Sequence, residues 1–301
     1  MKKAEKKFRP EYTMIIPVVI LAVLTWGVFW LYPNLETFEL AFTNRELKFT
    51  FDNFKEAFNS FSSKDGTLFI AMKNTITFWS FDFFVNIPVS IVISYFLYKK
   101  IAGYKVFRVV FYLSHILPSV ALTGVFKAFI SVTGPLGQIC NSLGIVIQNE
   151  GLLNTVGTVI PTILVYSFII GCSGSMLLLS GAMARIPTEV LEAAKLDGCS
   201  LTREVFQIIL PLIWPTITTV IILKCSQIIA AGGGLVMLLQ PNTQQYGTET
   251  LYYWMFKKVQ GSNVNTADYG LVAATGLILT AFIVPFITIV RKVLDRYTEE
   301  Y

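Results

Sequence analysis

Histidine occurs once in this 301-residue chain, at His115, so no multi-histidine metal site can be built from it. Cysteine occurs four times, at Cys140, Cys172, Cys199 and Cys225, and no two are set at metal-ligand spacing. No glycine precedes a Lys-Ser or Lys-Thr pair, which excludes a Walker A nucleotide site; if the protein uses ATP, another subunit binds it. The G-x-S-x-G turn of a serine hydrolase is missing as well. Charge is scarce: charged residues make up 14% of the chain, against about 25% in soluble proteins. Hydrophobic residues reach 54% and the mean hydropathy is +0.61, the balance of a membrane protein.

Six apolar runs approach the roughly 20 residues that a helix needs to cross hydrocarbon. They lie near Met14 to Tyr32, Asn74 to Tyr98, Phe107 to Phe129, Leu153 to Leu179, Pro211 to Ala231 and Tyr269 to Val290. Alternating strand patterns are absent and lipid leaves few other ways to satisfy the backbone, so all six are expected to be helices. The first run leads into LYPNLETFEL, not into a small-residue cleavage site, and is expected to stay as an anchor.

Lys and Arg cluster in the amino-terminal MKKAEKKFRP, in KKIAGYK after the second run, between the fourth and fifth runs, and in the tail RKVLDRYTEEY. The opposite loops carry fewer, and TGPLGQICNSLGIVIQNEG has none. The positive-inside bias therefore places both termini and the stretch between the fourth and fifth runs in the cytoplasm. On this topology the net charge of +5 reports orientation and not nucleic-acid affinity, because the basic residues are scattered without aromatic interleaving. Cys140 and Cys199 fall on opposite sides, which excludes a disulfide between them.

Within this apolar chain the stretch PTEVLEAAKLDGCSLTREVFQIILP, Pro187 to Pro211, concentrates four carboxylates. Pro187 is a favourable first helical residue and Gly198 a natural terminator, so one short helix about 16 Å long is expected. Val190, Leu191 and Ala194 form its apolar strip, while Arg185 with Glu189 and Glu192 with Lys195 have the spacing to pair. A second helix is expected from Ser200 or Thr202, with Glu204 in its first turn. Two short helices at a tight corner make a knob suited to a pocket on another protein.

Spacing carries the argument further. Glu192, Ala193, Ala194, Gly198, Ile208, Leu210 and Pro211 reproduce EAA-x3-G-x9-I-x-LP, a match that chance supplies on the order of once in 10⁵ chains of this length. This resembles the membrane-spanning permease subunits of bacterial ATP-binding-cassette importers. FTFDNFKEAF, NTITFW, GPLGQICN and the stretch AGGGLVMLLQPNTQQYGTETLYYWMFKK followed by DYGLVAATGLIL resemble further family elements in the family's order. The last is similar to the carbohydrate-importing branch, the type found in maltose-like and glycerol-phosphate-like uptake systems. Leu235 stands where that branch usually has proline.

The resemblance implies an all-α membrane protein of the type I importer permease fold, with six transmembrane helices in one permease domain over 1–301. Cytoplasmic tails are expected at 1–13 and 291–301, and the coupling loop at 180–210. It implies an ATP-driven carbohydrate importer in a bacterial cell membrane: a second homologous permease, two ATPase subunits that bind ATP and Mg, and an extracellular lipid-anchored or periplasmic sugar-binding protein. This chain itself would bind no cofactor and catalyse nothing. Glu189, Leu191, Glu192, Ala193, Ala194, Asp197, Gly198, Leu210 and Pro211 would form the ATPase-coupling elbow. The alternative is an ion-coupled secondary carrier, which would usually show internal repeats and broken helices.

Charges inside the spans are costly and often mark a pathway. Asp82 lies about 12 Å into the second run and Lys224 about 10 Å from the matching end of the fifth, so the two can pair or face one cavity. A substrate path would draw on Asp82, Lys224, Gln227, Tyr253 and Trp254, aromatics stacking on sugar rings while polar groups meet hydroxyls. Tyr252, Tyr253 and Trp254 equally fit an interfacial belt.

Overall fold

Backbone groups in lipid must bond within their own segment, and this chain does so almost entirely through helices. The computed structural model describes residues 10–44, 48–63, 66–144, 151–260 and 266–299. Among them the only strand-like feature is a single antiparallel bridge between Thr43 and Phe49.

The first apolar helix runs as α1 (Pro10–Trp26), a π-helical turn at Gly27–Leu31, and α2 (Tyr32–Ala41). After α3 (Asp52–Ser62), the second is α4 (Thr67–Phe81), a π turn at Asp82–Asn86, and α5 (Ile87–Tyr98). Then come α6 (Tyr104–Ile116), α7 (Ser119–Ile130), α8 (Pro135–Ser142) and the 25-residue α9 (Val159–Met183). The elbow region holds α10 (Thr188–Leu196), α11 (Leu201–Arg203), a π turn at Glu204–Ile209, and α12 (Leu210–Leu212). There follow α13 (Trp214–Ser226), α14 (Gly233–Leu239), α15 (Thr243–Tyr246), α16 (Leu251–Gln260) and the 34-residue α17 (Thr266–Glu299).

Among the described residues, five helices are long and apolar enough to cross a membrane, and six if the bent pair Leu201–Leu212 and Trp214–Ser226 counts as one. The expected third span departs most from a single rod. It breaks between α6 and α7 because Leu117, preceding Pro118, is extended (ψ 143°), as the proline ring requires of its neighbour. The fifth is bent by 73° near Ile213. The amino-terminal nine residues of the expected 1–13 tail, and the last two of 291–301, lie outside the described residues.

The chain divides into two compact units, Met1–Asn59 with Lys258–Ile278, and Ser60–Lys257 with Leu279–Tyr301. In the first, Ala41, Ala273 and Ala274 are buried with Phe42, Phe54 and Leu277 packed on them. Asn53 donates to the carbonyls of Ala41 and Thr43 at 3.0 and 3.1 Å, satisfying the end of α2. The Thr50 hydroxyl donates to Asp52 at 2.7 Å and holds that exposed carboxyl below its ordinary pKa.

In the second unit, α5 lies against α9 through small polar side chains: Ser90 donates to the Cys172 carbonyl at 3.1 Å and Ser94 to that of Met176 at 3.2 Å. Gly171 lets Asn86 approach, since a Cβ there would stand 2.5 Å from its Nδ2. Two apolar clusters flank this seam. One gathers Phe78, Val159, Ile163, Tyr166, Val236, Leu239 and Tyr253; the other gathers Tyr95, Leu179, Met183, Ile186, Ile209, Ile213 and Ile217.

Candidate functional site

Two places hold the residues singled out by sequence, and the first is the elbow. Pro187, expected as the first helical residue, takes the N-cap position instead (ψ 137°), and α10 begins one place later at Thr188. At the far end Gly198 has φ +70°, a conformation that disfavours any Cβ, and no atom lies within 4 Å of where a Cβ would stand. Cys199 N–H donates to the Ala194 carbonyl at 3.0 Å and Gly198 N–H to that of Lys195 at 3.1 Å, the paired bonds of a Schellman ending. Thus the glycine fixes the corner by closing the last turn.

One face of α10 is held. Ala194 is buried, and Leu191 packs on the Tyr95–Met183–Ile209 cluster. The other face is open: Glu189, Glu192, Ala193 and Asp197 are exposed, and Leu196 is 89% exposed, an apolar tip that sequence reading passed over. The expected pairs Arg185–Glu189 and Glu192–Lys195 do not form among the described ion pairs, which leaves these charges in solvent.

Beyond the corner, Ser200 caps α11 by accepting from Arg203 N–H at 3.5 Å, as expected. Glu204 then turns inward, 3% exposed, with its Oε1 2.5 Å from Lys99 Nζ at the end of α5. Leu210 packs on the same cluster as Leu191, and Pro211 opens the last turn before the bend.

The second place is a cavity of about 190 Å3 among α4, α9, α13 and the turn into α14. Asp82 and Lys224 both line it and are paired, Oδ2 to Nζ 2.7 Å; Asp82 Oδ1 accepts from Asn86 at 2.7 Å. Gln227 and Ser167 add polar lining, and Phe78 and Trp79 an aromatic wall. The Trp79 indole donates to the Lys224 carbonyl at 3.1 Å, joining α4 to α13. Gly232, at φ +69°, sits so close to Phe78 that a Cβ would meet the ring at 2.5 Å.

Tyr253 and Trp254 stand elsewhere. They are 7% and 5% exposed, and neither lines the cavity. Tyr253 packs with Phe78 and donates to the Pro241 carbonyl at 3.3 Å; burial and the Glu249 charge raise its phenol pKa. Of the three aromatics only Tyr252 is exposed as an interfacial belt would need.

A latch that sequence did not reveal ties this region together. Asn74 donates to the carbonyls of Gly247 and Glu249, both at 2.8 Å, and Leu251 N–H donates to Thr75 Oγ1 at 2.8 Å. Glu249, 3% exposed, lies 2.6 Å from Lys257 and accepts from Thr243 at 2.6 Å. The Asn-Thr pair of NTITFW therefore binds the backbone of GTETL.

A bundle of apolar helices holding a polar cavity, with a stiff corner that buries one face of a short helix and exposes the other, defines a membrane permease. Residues 86–299 match the model of binding-protein-dependent transport system inner membrane components, and the chain belongs to that family. It is 28% identical to the multiple sugar-binding transport system permease protein MsmF of Streptococcus mutans, over 93% of this chain and 92% of that one. It is 27% identical to the arabinooligosaccharides transport system permease protein AraP of Bacillus subtilis, over 85% and 80%. Its fold is that of a chain in a bacterial ABC transporter involved in the import of the acidic polysaccharide alginate: TM-score 0.81, 19% identity, covering 95% of this chain and 96% of that chain.

Proposed function

We propose that this chain is one of two homologous permease subunits of an ATP-driven carbohydrate importer, with both termini and the elbow in the cytoplasm. The elbow carries the reading: Glu189, Glu192 and Asp197 are presented to a partner while Leu191 and Ala194 anchor the same helix to the spans. An ATPase subunit, holding ATP and Mg, would receive that face. Rigidity matters because a stiff knob transmits a domain movement that a loose loop would absorb.

Carbohydrate is supported by the sugar-transport roles that MsmF and AraP are named for. The cavity suits one, since an aromatic wall complements the apolar face of a sugar and Gln227 and Ser167 can meet hydroxyls. Asp82, Lys224 and Gln227 would line the path, with Tyr253 packed behind the wall residue Phe78. The similar fold includes an alginate importer solved with a pentasaccharide-bound periplasmic protein, which supports a binding protein as a further partner. Here, however, Asp82 offsets Lys224, which favours a neutral sugar over an acidic one. No observation favours an ion-coupled carrier.

The test is to isolate the complex with its cognate binding protein and measure which oligosaccharides stimulate ATP hydrolysis. The chain is expected to bring an ATPase and a second permease with it, and neutral oligosaccharides to stimulate. A chain that purifies alone and transports down an ion gradient defeats the proposal.

A further inference from the structure

The segment from Leu201 to Leu212 lies between two breaks in the backbone. On one side is the left-handed Gly198; on the other is the 73° bend near Ile213. A helix interrupted at both ends behaves as a short body of its own, and its direction depends on what it touches. Most of what it touches is apolar: Ile209 is fully buried, and Val205 and Leu210 pack on the cluster shared with α5 and α9. Apolar contact holds the segment down but sets no angle, because it is non-directional.

The ion pair made by Glu204 is directional. Glu204, with a side chain 4% exposed, meets Lys99 at 2.5 Å, and among the described residues no other ion pair joins this segment to a span. Lys99 is itself fixed. It caps α5, its N–H donates to the Tyr95 carbonyl at 2.9 Å, and its ammonium stands 5.7 Å from the Tyr95 ring centroid. The next residue, Lys100, takes φ +53°, so the chain leaves the helix abruptly and keeps Lys99 at its tip. A carboxylate this buried would be costly without its partner, so the pair resists separation.

We infer that Lys99 and Glu204 form a positioning pair that sets the angle between the elbow and the end of the second span, so that displacement of the elbow reaches the cavity-lining helix. α4 and α5 continue one another through the π turn that begins at Asp82, which places the pair at one end of that helical run and the cavity partway along it. The inference rests on the importer function proposed above. Neither residue belongs to the EAA-x3-G-x9-I-x-LP pattern.

The experiment uses the assembled complex in lipid vesicles, with Glu204→Gln, Lys99→Met, and the exchange Lys99→Glu with Glu204→Lys. Two rates are read: basal ATP hydrolysis, and hydrolysis stimulated by sugar-loaded binding protein. Each single variant is expected to keep basal hydrolysis and lose roughly five- to tenfold in stimulation, the low end of measured coupling free energies. The exchange is expected to recover stimulation, because it restores the attraction with its sign reversed. Unchanged stimulation in Glu204→Gln overturns the inference, and so does an equal fall in both rates. Failure of all three variants to assemble also overturns it, by making the pair a folding element. If the unsubstituted complex shows no stimulation, the proposed function fails and not the pair.

Discussion

Gly198 and Glu192 act through different physics although they sit six residues apart. Gly198 supplies a backbone conformation: alanine there clashes with nothing within 4 Å but costs about 1 kcal/mol for the left-handed φ, and an aspartate adds charge to the same strain. Glu192 supplies charge on an exposed face, outside the ion pairs formed among the described residues. Gly198→Asp and Glu192→Lys are therefore expected to leave the spans inserted while uptake falls and ATP hydrolysis loses its dependence on sugar. Normal uptake by both variants, measured with labelled sugar in vesicles, would remove the elbow from the mechanism.

Elements show where local rules end. The break in the third span, expected as one helical run, is set locally by Pro118, because proline restricts the residue before it whatever the surroundings. The short helix between Pro187 and Gly198 was legible for the same reason, since capping is decided within a few residues. The latch between α4 and the GTETL stretch was not, because its partners stand more than 170 residues apart. Asn74→Ala removes two hydrogen bonds and strands two carbonyls, a loss of about 1–3 kcal/mol. The melting temperature of the detergent-solubilised chain should fall by several degrees; an unchanged transition, followed by tryptophan fluorescence, would show that water replaces the side chain.

At the scale of the whole molecule, the ion pair in the cavity ties stability to selectivity. Lys224→Met leaves Asp82 with Asn86 alone and is expected to weaken uptake. The cost should be less than the roughly 3–5 kcal/mol of a fully buried pair, because the side chains of Lys224 and Asp82 remain 20% and 25% exposed. Adding Asp82→Asn removes the stranded charge, so uptake of neutral sugar should recover in the double variant. A double variant no better than Lys224→Met would mean that the ammonium itself contacts the cargo, and an acidic sugar would then replace the neutral one.

Sequence by itself determined the membrane class, the apolar runs, the corner at Gly198 and the matching depths of Asp82 and Lys224. Each of these depends on composition, on neighbours a few residues away, or on helical rise. Only the tertiary structure decided that Glu204 turns inward to Lys99, that Tyr253 and Trp254 are buried away from the cavity, and that Leu196 is exposed. Those facts depend on the rotation of each helix about its own axis, which packing against other helices sets and no local pattern in the chain encodes.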